Sequence, residues 1–145
     1  MRLTRHTDFA LRIMIRLAQT PGERVAIRIL AADCDAPENH VMKITPTLAR
    51  AGLVRSVRGR IGGLVLARAP EDIALGEIVR VTEPGFSQAS DACEAQGGLA
   101  DAIADAAAAY LDALNRYRLS DMLKAIPACR VGRANEDLPT LAPVT

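Results

Sequence analysis

The residues with the clearest chemistry form the segment Arg58-Gly59-Arg60-Ile61-Gly62-Gly63. A guanidinium group matches two oxygens of one phosphate, and glycine lets the backbone turn sharply or approach a surface closely. The spacing of Arg58 and Arg60 around Gly59 therefore predicts a flexible, positively charged hairpin tip that binds phosphate. An ordinary surface hairpin with solvated arginines is the alternative.

A second group of polar side chains precedes this hairpin, on a segment with helical spacing. Val41, Ile44 and Leu48 recur at steps of three and four residues, which predicts a helix with an inward apolar face. The polar side chains expected on its outward part are Asn39, His40, Lys43 and Thr47. Asparagine can pair with adenine in the major groove, and lysine with guanine or phosphate. The segment therefore predicts a helix that contacts DNA bases.

Two earlier helices are expected to hold this base-contacting helix in place. Residues 5–18 have one apolar face, and Thr4 is a suitable N-cap for them. A short helix over Ile27–Asp33 follows, and a turn over residues 33–36 leads to Pro37. Proline is well tolerated as the first helical residue, so Pro37 is predicted to begin the third helix. Two short helices joined by a tight turn indicate a helix-turn-helix.

The basic hairpin completes the predicted fold class. Gly52 is expected to end the third helix, and strands over 53–57 and 64–66 flank the glycine-rich turn. This arrangement predicts a mainly α fold with a small β-hairpin wing, a winged helix-turn-helix. Pro46 conflicts with it, because proline inside a helix clashes with the carbonyl four residues earlier. We expect a kink there, or a helix that ends early and restarts before Arg50.

The distribution of charge also favours a nucleic-acid partner. The 145-residue chain has a net charge of +1. Residues 1–70 carry 12 lysines and arginines against 5 acidic residues, whereas residues 71–145 carry 6 against 12. A basic first half followed by an acidic second half is typical of a nucleic-acid-binding module joined to something else.

Several classes of protein are disfavoured by the composition. No apolar run approaches the roughly 20 residues that span a bilayer, and the N-terminus lacks the apolar core of a signal peptide, so we expect a cytoplasmic protein without a membrane partner. Three widely spaced cysteines do not indicate a disulfide framework. The chain also has no phosphate loop, nucleophile elbow or ligand-spaced cluster of His, Cys and Asp, and an enzyme is therefore not expected.

The second half of the chain predicts an association surface. A short helix over Ile73–Thr82 is expected to close at 83–85, and a loop over 85–98 contains Cys93. A long alanine-rich helix should follow, with another amphipathic turn or two over Leu119–Ile126. Apolar residues at helical steps form its seam: Leu99, Ile103, Ala106, Tyr110, Leu114 and Tyr117. Such a seam outside the small basic domain predicts a homodimer through this helix.

Several segments resemble the IscR/NsrR-type winged-helix regulators. The matching segments are Leu3-Thr4 with 7–12, Asn39-His40-Val41-Met42-Lys43-Ile44, residues 48–54, residues 57–63, Ile73–Pro84 and 117–121. The likeness covers residues 1 to 125 almost without a gap. It implies a dimeric bacterial transcription regulator on a pseudo-palindromic operator, with the long helix crossing that of the second protomer.

The resemblance also implies a sensor, from which this sequence departs. Such regulators often hold an iron–sulfur cluster through three loop cysteines, with an aspartate of the first helix as the fourth ligand in some members. Here Cys93 matches the first cysteine and Asp8 the aspartate, but the other loop cysteines are absent, so a cluster is disfavoured. Asp8 has a structural interpretation as well, an ion pair with Arg12 or Arg5.

The remaining candidate ligands have simpler interpretations. Cys34 is interpreted as a small buried apolar residue in the helix-turn-helix turn. Cys129 lies in a stretch without a clear pattern. His6 and His40 are interpreted as polar surface residues, with His40 the better placed to contact DNA because its predicted helix position faces outward.

These observations predict a homodimeric transcription regulator. The resemblance implies that it is a repressor and that it responds to a redox, nitric oxide or iron-related signal. The alternative is an interaction module that acts through a partner protein without its own cofactor. Four regions are predicted: a DNA-binding domain over 1–84, a sensor loop over 85–98, a dimerisation region over 99–126 and a flexible tail over 127–145. The predicted DNA contacts are Arg2, Arg5, Asn39, His40, Lys43, Thr47, Arg55, Arg58, Gly59 and Arg60.

Overall fold

The computed structural model of the chain describes residues 3–59, 62–87 and 98–125. The first three helices are α1 (Arg5–Gln19), α2 (Ile27–Asp33) and α3 (Glu38–Arg50). Strands β1 (Val54–Val57) and β2 (Gly63–Leu66) form an antiparallel pair. A 3₁₀ turn (Pro70–Asp72), α4 (Leu75–Thr82) and α5 (Pro84–Ser87) follow, and the described part ends with α6 (Leu99–Asn115) and α7 (Leu119–Ala125). The order and content of these elements are those of the predicted winged helix-turn-helix.

One apolar core joins the helix-turn-helix to the later elements. Ile13 of α1, Leu48 of α3 and Leu64 of β2 are almost completely buried, and so is Leu119 of α7. All four belong to the same cluster of buried side chains. Because α7 contributes to this core, the end of the described chain is fixed directly to the helix-turn-helix.

Of the two outcomes expected at Pro46, the helix that ends early and restarts is wrong, and the kink stays a prediction. Helix α3 continues from Glu38 to Arg50 with Pro46 inside it, and Pro37 is the N-cap residue rather than the first helical residue. Pro46 has no N–H for the Met42 carbonyl, but both residues are exposed, so water can solvate that carbonyl. The Thr45 hydroxyl donates to the Val41 carbonyl at 2.8 Å, a side-chain bond that helices accommodate with slight bending.

Two boundaries in the second half also differ from the prediction. The chain does not enter a loop at Pro84, because residues 84–87 form α5; residues 88–97, which include Cys93, lie outside the described part. Helix α6 ends at Asn115, so Tyr117 lies in the turn before α7, where its carbonyl accepts a hydrogen bond from the Leu75 N–H. Within the described stretches, no helix is long and apolar enough to cross a membrane.

Candidate nucleic-acid interface

The outward face of α3 carries the polar residues expected to contact bases. Val41, Ile44 and Leu48 are completely buried, which fixes the rotation of the helix. Asn39 and Lys43 are exposed on the opposite side. His40 is exposed on one flank, where its ring meets that of Phe9 edge-on at a centroid distance of 5.6 Å. The structure therefore presents Asn39 and Lys43 centrally and places His40 towards α1.

Thr47 and Pro46 complete the description of this face. Thr47 is only half-buried and lies on the same flank as His40, whereas Pro46 is exposed near the centre of the outward side. The face is thus broader than the polar set predicted from the sequence, because it includes the apolar side chains of Met42 and Pro46 as well.

The turn before α3 is held by a buried cysteine and an ion pair. Arg16 of α1 donates through Nε to Asp33 at the end of α2, at 2.7 Å. Cys34 is 5% exposed and packs in the core, which confirms its interpretation as a small buried residue. Burial, reinforced by the negative charge of Asp33, raises the pKa of the Cys34 thiol to about 11, although Arg16 and Arg12 oppose this rise. The positive φ of 51° at Asp35 then directs the chain into α3.

The wing is anchored to the body of the protein through Val25. The N–H of Val25 donates to the Leu64 carbonyl, and the Leu64 N–H donates to the Val25 carbonyl, both at 2.9 Å. A Cβ atom at Gly63 would lie 2.5 Å from the Val25 oxygen, so this approach requires glycine. One side of the hairpin is therefore paired with the segment that leads into α2.

The described part of the wing presents its basic residues to solvent. Arg55 and Arg58 are exposed and have no ion pair with any residue that the structure describes. Gly59 adopts a φ of 128°, a region that residues with a Cβ rarely enter, and it is exposed too. Arg60 lies outside the described residues. Arg58 is therefore available to a phosphate, and the phosphate-binding hairpin stays a prediction.

The start of α1 is held by a carboxylate that the sequence did not single out. Thr4 caps α1, as predicted, and its backbone N–H donates to Glu83 Oε2 at 3.0 Å. The hydroxyls of Thr4 and Thr7 donate to the same oxygen at 3.0 and 2.7 Å. Burial raises the pKa of Glu83, but the bonds from Thr7 and Thr4 outweigh burial and hold this pKa below its ordinary value. Glu83 is only 9% exposed, so a charged carboxylate joins the end of α4 to the first turn of α1.

A local signal for this contact was present but ambiguous. Thr4 indicates a helix start, but nothing in the sequence pairs Thr4 or Thr7 with a carboxylate 79 and 76 residues further along the chain. Arg5 is exposed beside this contact, in agreement with its predicted position, and Arg2 lies outside the described residues.

The residues proposed for a metal cluster do not come together in the described part. Asp8 forms the i,i+4 ion pair with Arg12, at 2.9 Å between its Oδ2 and Nη2, as in its structural interpretation. Cys34 is buried in the helix-turn-helix, and Cys93 lies outside the described residues. Among the residues that the structure describes, no three His, Cys, Asp or Glu side chains are grouped as metal ligands. The described residues alone therefore do not supply the four ligands that an iron–sulfur cluster requires.

The predicted seam of α6 divides into two parts. Leu99 and Ile103 are 74% and 61% exposed, and Ala106 is exposed next to them. Tyr110 instead stacks on Phe86 of α5 with ring centroids 5.3 Å apart, and Leu114 packs against the core of its own chain. The first half of α6 is thus left without a covering partner within the described chain.

Comparison with known proteins agrees with this geometry. A family model described as Rrf2, iron-dependent transcriptional regulator, matches residues 3–125. The HTH-type transcriptional regulator NsrR of Bacillus subtilis is 40% identical over 133 residues, which cover 86% of this chain and 91% of that protein. The structure of T. potens IscR matches with a TM-score of 0.70 and 27% identity, covering 92% of this chain and 93% of the other. CymR, the global cysteine regulator of B. subtilis, matches with a TM-score of 0.69 and 26% identity, covering 88% and 99%.

Proposed function

We propose a function that proceeds from one premise: the chain belongs to the Rrf2 family of transcriptional regulators. It is a DNA-binding winged-helix protein and not an enzyme. We propose that it acts as a cytoplasmic homodimer at a pseudo-palindromic operator, where it represses transcription. On this proposal α3 enters the major groove and the wing contacts the adjacent backbone.

The observation that carries this proposal is the pairing of an exposed polar helix face with an unneutralised basic wing. Lys43 on α3 and Arg55 and Arg58 on the wing have no ion pair among the described residues, so their charges are available to phosphates. Leu53 donates its N–H to the Leu48 carbonyl at 3.0 Å, which joins the start of the wing directly to the end of α3. One DNA duplex could therefore engage both elements.

A homodimer is supported by the exposed half of α6. Leu99 and Ile103 lie one helical turn apart, and large apolar side chains exposed on one helix favour association. A C2 dimer through α6 would present two copies of α3, which suits the symmetry of a pseudo-palindromic site.

The wing assignment is tested by replacing its two tip arginines together, Arg58→Ala with Arg60→Ala. Each lost phosphate contact lowers the number of counterions that DNA releases on binding. Affinity for promoter DNA should therefore fall on the order of tenfold at low salt, and the slope of log K against log salt should flatten by about one unit per contact. Fluorescence anisotropy over a salt series measures both quantities. Arg80→Ala with Arg116→Ala, two exposed arginines of α4 and the end of α6, is the matched control. Unchanged affinity and slope in the wing variant would contradict the assignment.

The sensing step is proposed to lie in the segment around Cys93, in response to a redox, nitric oxide or iron-related signal. Anaerobic purification followed by iron and sulfide analysis and a visible spectrum tests whether the chain carries a cluster. A stoichiometric cluster would mean that residues outside the described part supply ligands. A cluster-free protein that binds promoter DNA only with a second protein present would instead support the partner-dependent alternative.

A further inference from the structure

Met42 is a large apolar side chain displayed where α3 is otherwise polar. It is 50% exposed, and exposed Asn39, Lys43 and Pro46 lie around it on the same helix. A side chain of this kind normally turns into the core, but Val41, Ile44 and Leu48 already fill the inward face completely. The rotation of α3 therefore holds Met42 outside.

Met42 and Pro46 together make an apolar strip along one side of the outward face. They are four residues apart, which places them one helical turn from each other. Lys43 is exposed beside the strip on the outward face, and Arg50 is exposed at the end of the helix. Glu38 is exposed one turn before Met42, at the start of the helix. The strip is thus bordered by positive charge along its Lys43 side and at the end of α3, which complements DNA better than it complements an apolar protein surface.

The major groove offers one kind of apolar group at its base edges, the C5-methyl of thymine. Methionine is flexible and has no strong hydrogen-bonding group, so it suits a methyl contact and cannot replace a donor or acceptor there. We propose that Met42, with the Pro46 ring beside it, contacts a thymine methyl in each half-site and so determines sequence preference. This inference rests on the proposed DNA-binding function.

The test uses the full chain and duplexes selected by it from a random-sequence library. Each thymine of the selected site is replaced singly by uracil, which removes the methyl group and keeps the base-pairing and groove hydrogen bonds. For the wild-type protein, one thymine position per half-site should lose about fourfold in affinity, the value of one buried methyl group. Met42→Ala should bind the thymine and uracil duplexes equally at that position, and Met42→Leu should keep the difference.

Ile29→Ala is the control, because Ile29 is an exposed apolar residue on α2 rather than α3. It should keep the full sensitivity to uracil. If the wild-type protein selects no sequence, the proposed DNA-binding function fails. If it selects a site and no uracil substitution has a cost that depends on Met42, only the assignment of Met42 fails.

Discussion

Glu83 joins two segments that are far apart in the sequence through a single carboxylate oxygen. Three donors from Thr4 and Thr7 converge on it, and the residue is almost buried. A buried carboxylate is stable when its charge is compensated by hydrogen bonds, and these bonds keep the Glu83 pKa below its ordinary value in spite of burial. The contact should therefore contribute stability only while Glu83 is ionised.

We predict that Glu83→Gln lowers the free energy of unfolding by about 1–2 kcal/mol at pH 7, because hydrogen bonds to a charged acceptor are replaced by bonds to a neutral amide. The folded-state pKa lies below the unfolded one, so the stabilisation is fully present above the unfolded value and is lost as pH falls through the folded value. The gap between wild type and variant should therefore shrink below about pH 4.5, the ordinary value for glutamate. Urea denaturation from pH 7 to pH 3.5 measures it. Glu71→Gln, at an exposed carboxylate, is the control, and a gap that stays constant with pH would contradict the prediction.

The hairpin depends on a close approach that only glycine permits. Gly63 pairs with Val57 in β1, and its backbone also passes against the Val25 carbonyl on the other side. Strand β2 is thus paired with β1 on one side and with Val25 on the other, which limits how far the wing can move relative to α2.

We predict that Gly63→Ala destabilises the fold by about 1–3 kcal/mol, because the added methyl group forces the backbone of Val25 away from β2. Thermal unfolding followed by circular dichroism measures the loss. Gly85→Ala provides the matched control: a Cβ there meets nothing within 4 Å, and the residue lies in helix α5. Equal unfolding temperatures for the two variants would show that the close approach of Val25 does not require glycine at position 63.

Helix boundaries were predictable where the cause was local. The apolar periodicity of α1 and its Thr4 cap, and the limits of α2, follow from neighbouring residues and were confirmed. The early end expected at Pro46 was wrong because the clash with the Met42 carbonyl was considered alone, whereas both residues are exposed and water can solvate that carbonyl. The helix at 84–87 was missed because its support is tertiary, the stacking of Phe86 on Tyr110.

The candidate interface likewise has features with a local cause, which the sequence predicts, and tertiary contacts, which it does not. The outward residues of α3 and the exposed wing arginines follow from periodicity and charge, so the sequence was sufficient to predict them. The hydrogen bonds to Glu83 and the pairing of Val25 with Leu64 join segments that are distant in the chain, and no local sequence pattern predicts such contacts.

For the molecule as a whole, the exposed half of α6 is the surface on which the proposed assembly depends. Leu99, Ile103 and Ala106 face away from the core, whereas Leu111 of the same helix is buried against it. The second half of the helix is therefore packed against its own chain, whereas the first half leaves the same apolar seam available to a second copy.

We predict that Ile103→Glu converts the proposed dimer to monomers at micromolar concentration. An unpaired carboxylate at a buried interface costs about 3 kcal/mol, which raises the dissociation constant of the dimer about a hundredfold. Sedimentation velocity measures the mass, and Ala108→Glu is the control because Ala108 is exposed on the acidic side of α6. A dimer that persists in Ile103→Glu and weakens in Ala108→Glu would place the interface on the other side of the helix.

The burial of Cys34 makes this residue a reporter of opening in the helix-turn-helix. Only the thiolate reacts with alkylating reagents, and a pKa of about 11 leaves about one thiol in ten thousand ionised at pH 7. Its side chain is also shielded by the core. Alkylation of Cys34 should therefore require α2 and α3 to separate, and its rate should rise with the fraction of molecules in which they are apart. Mass spectrometry of that one site would compare this opening with and without bound DNA, using a thiol that the chain already contains.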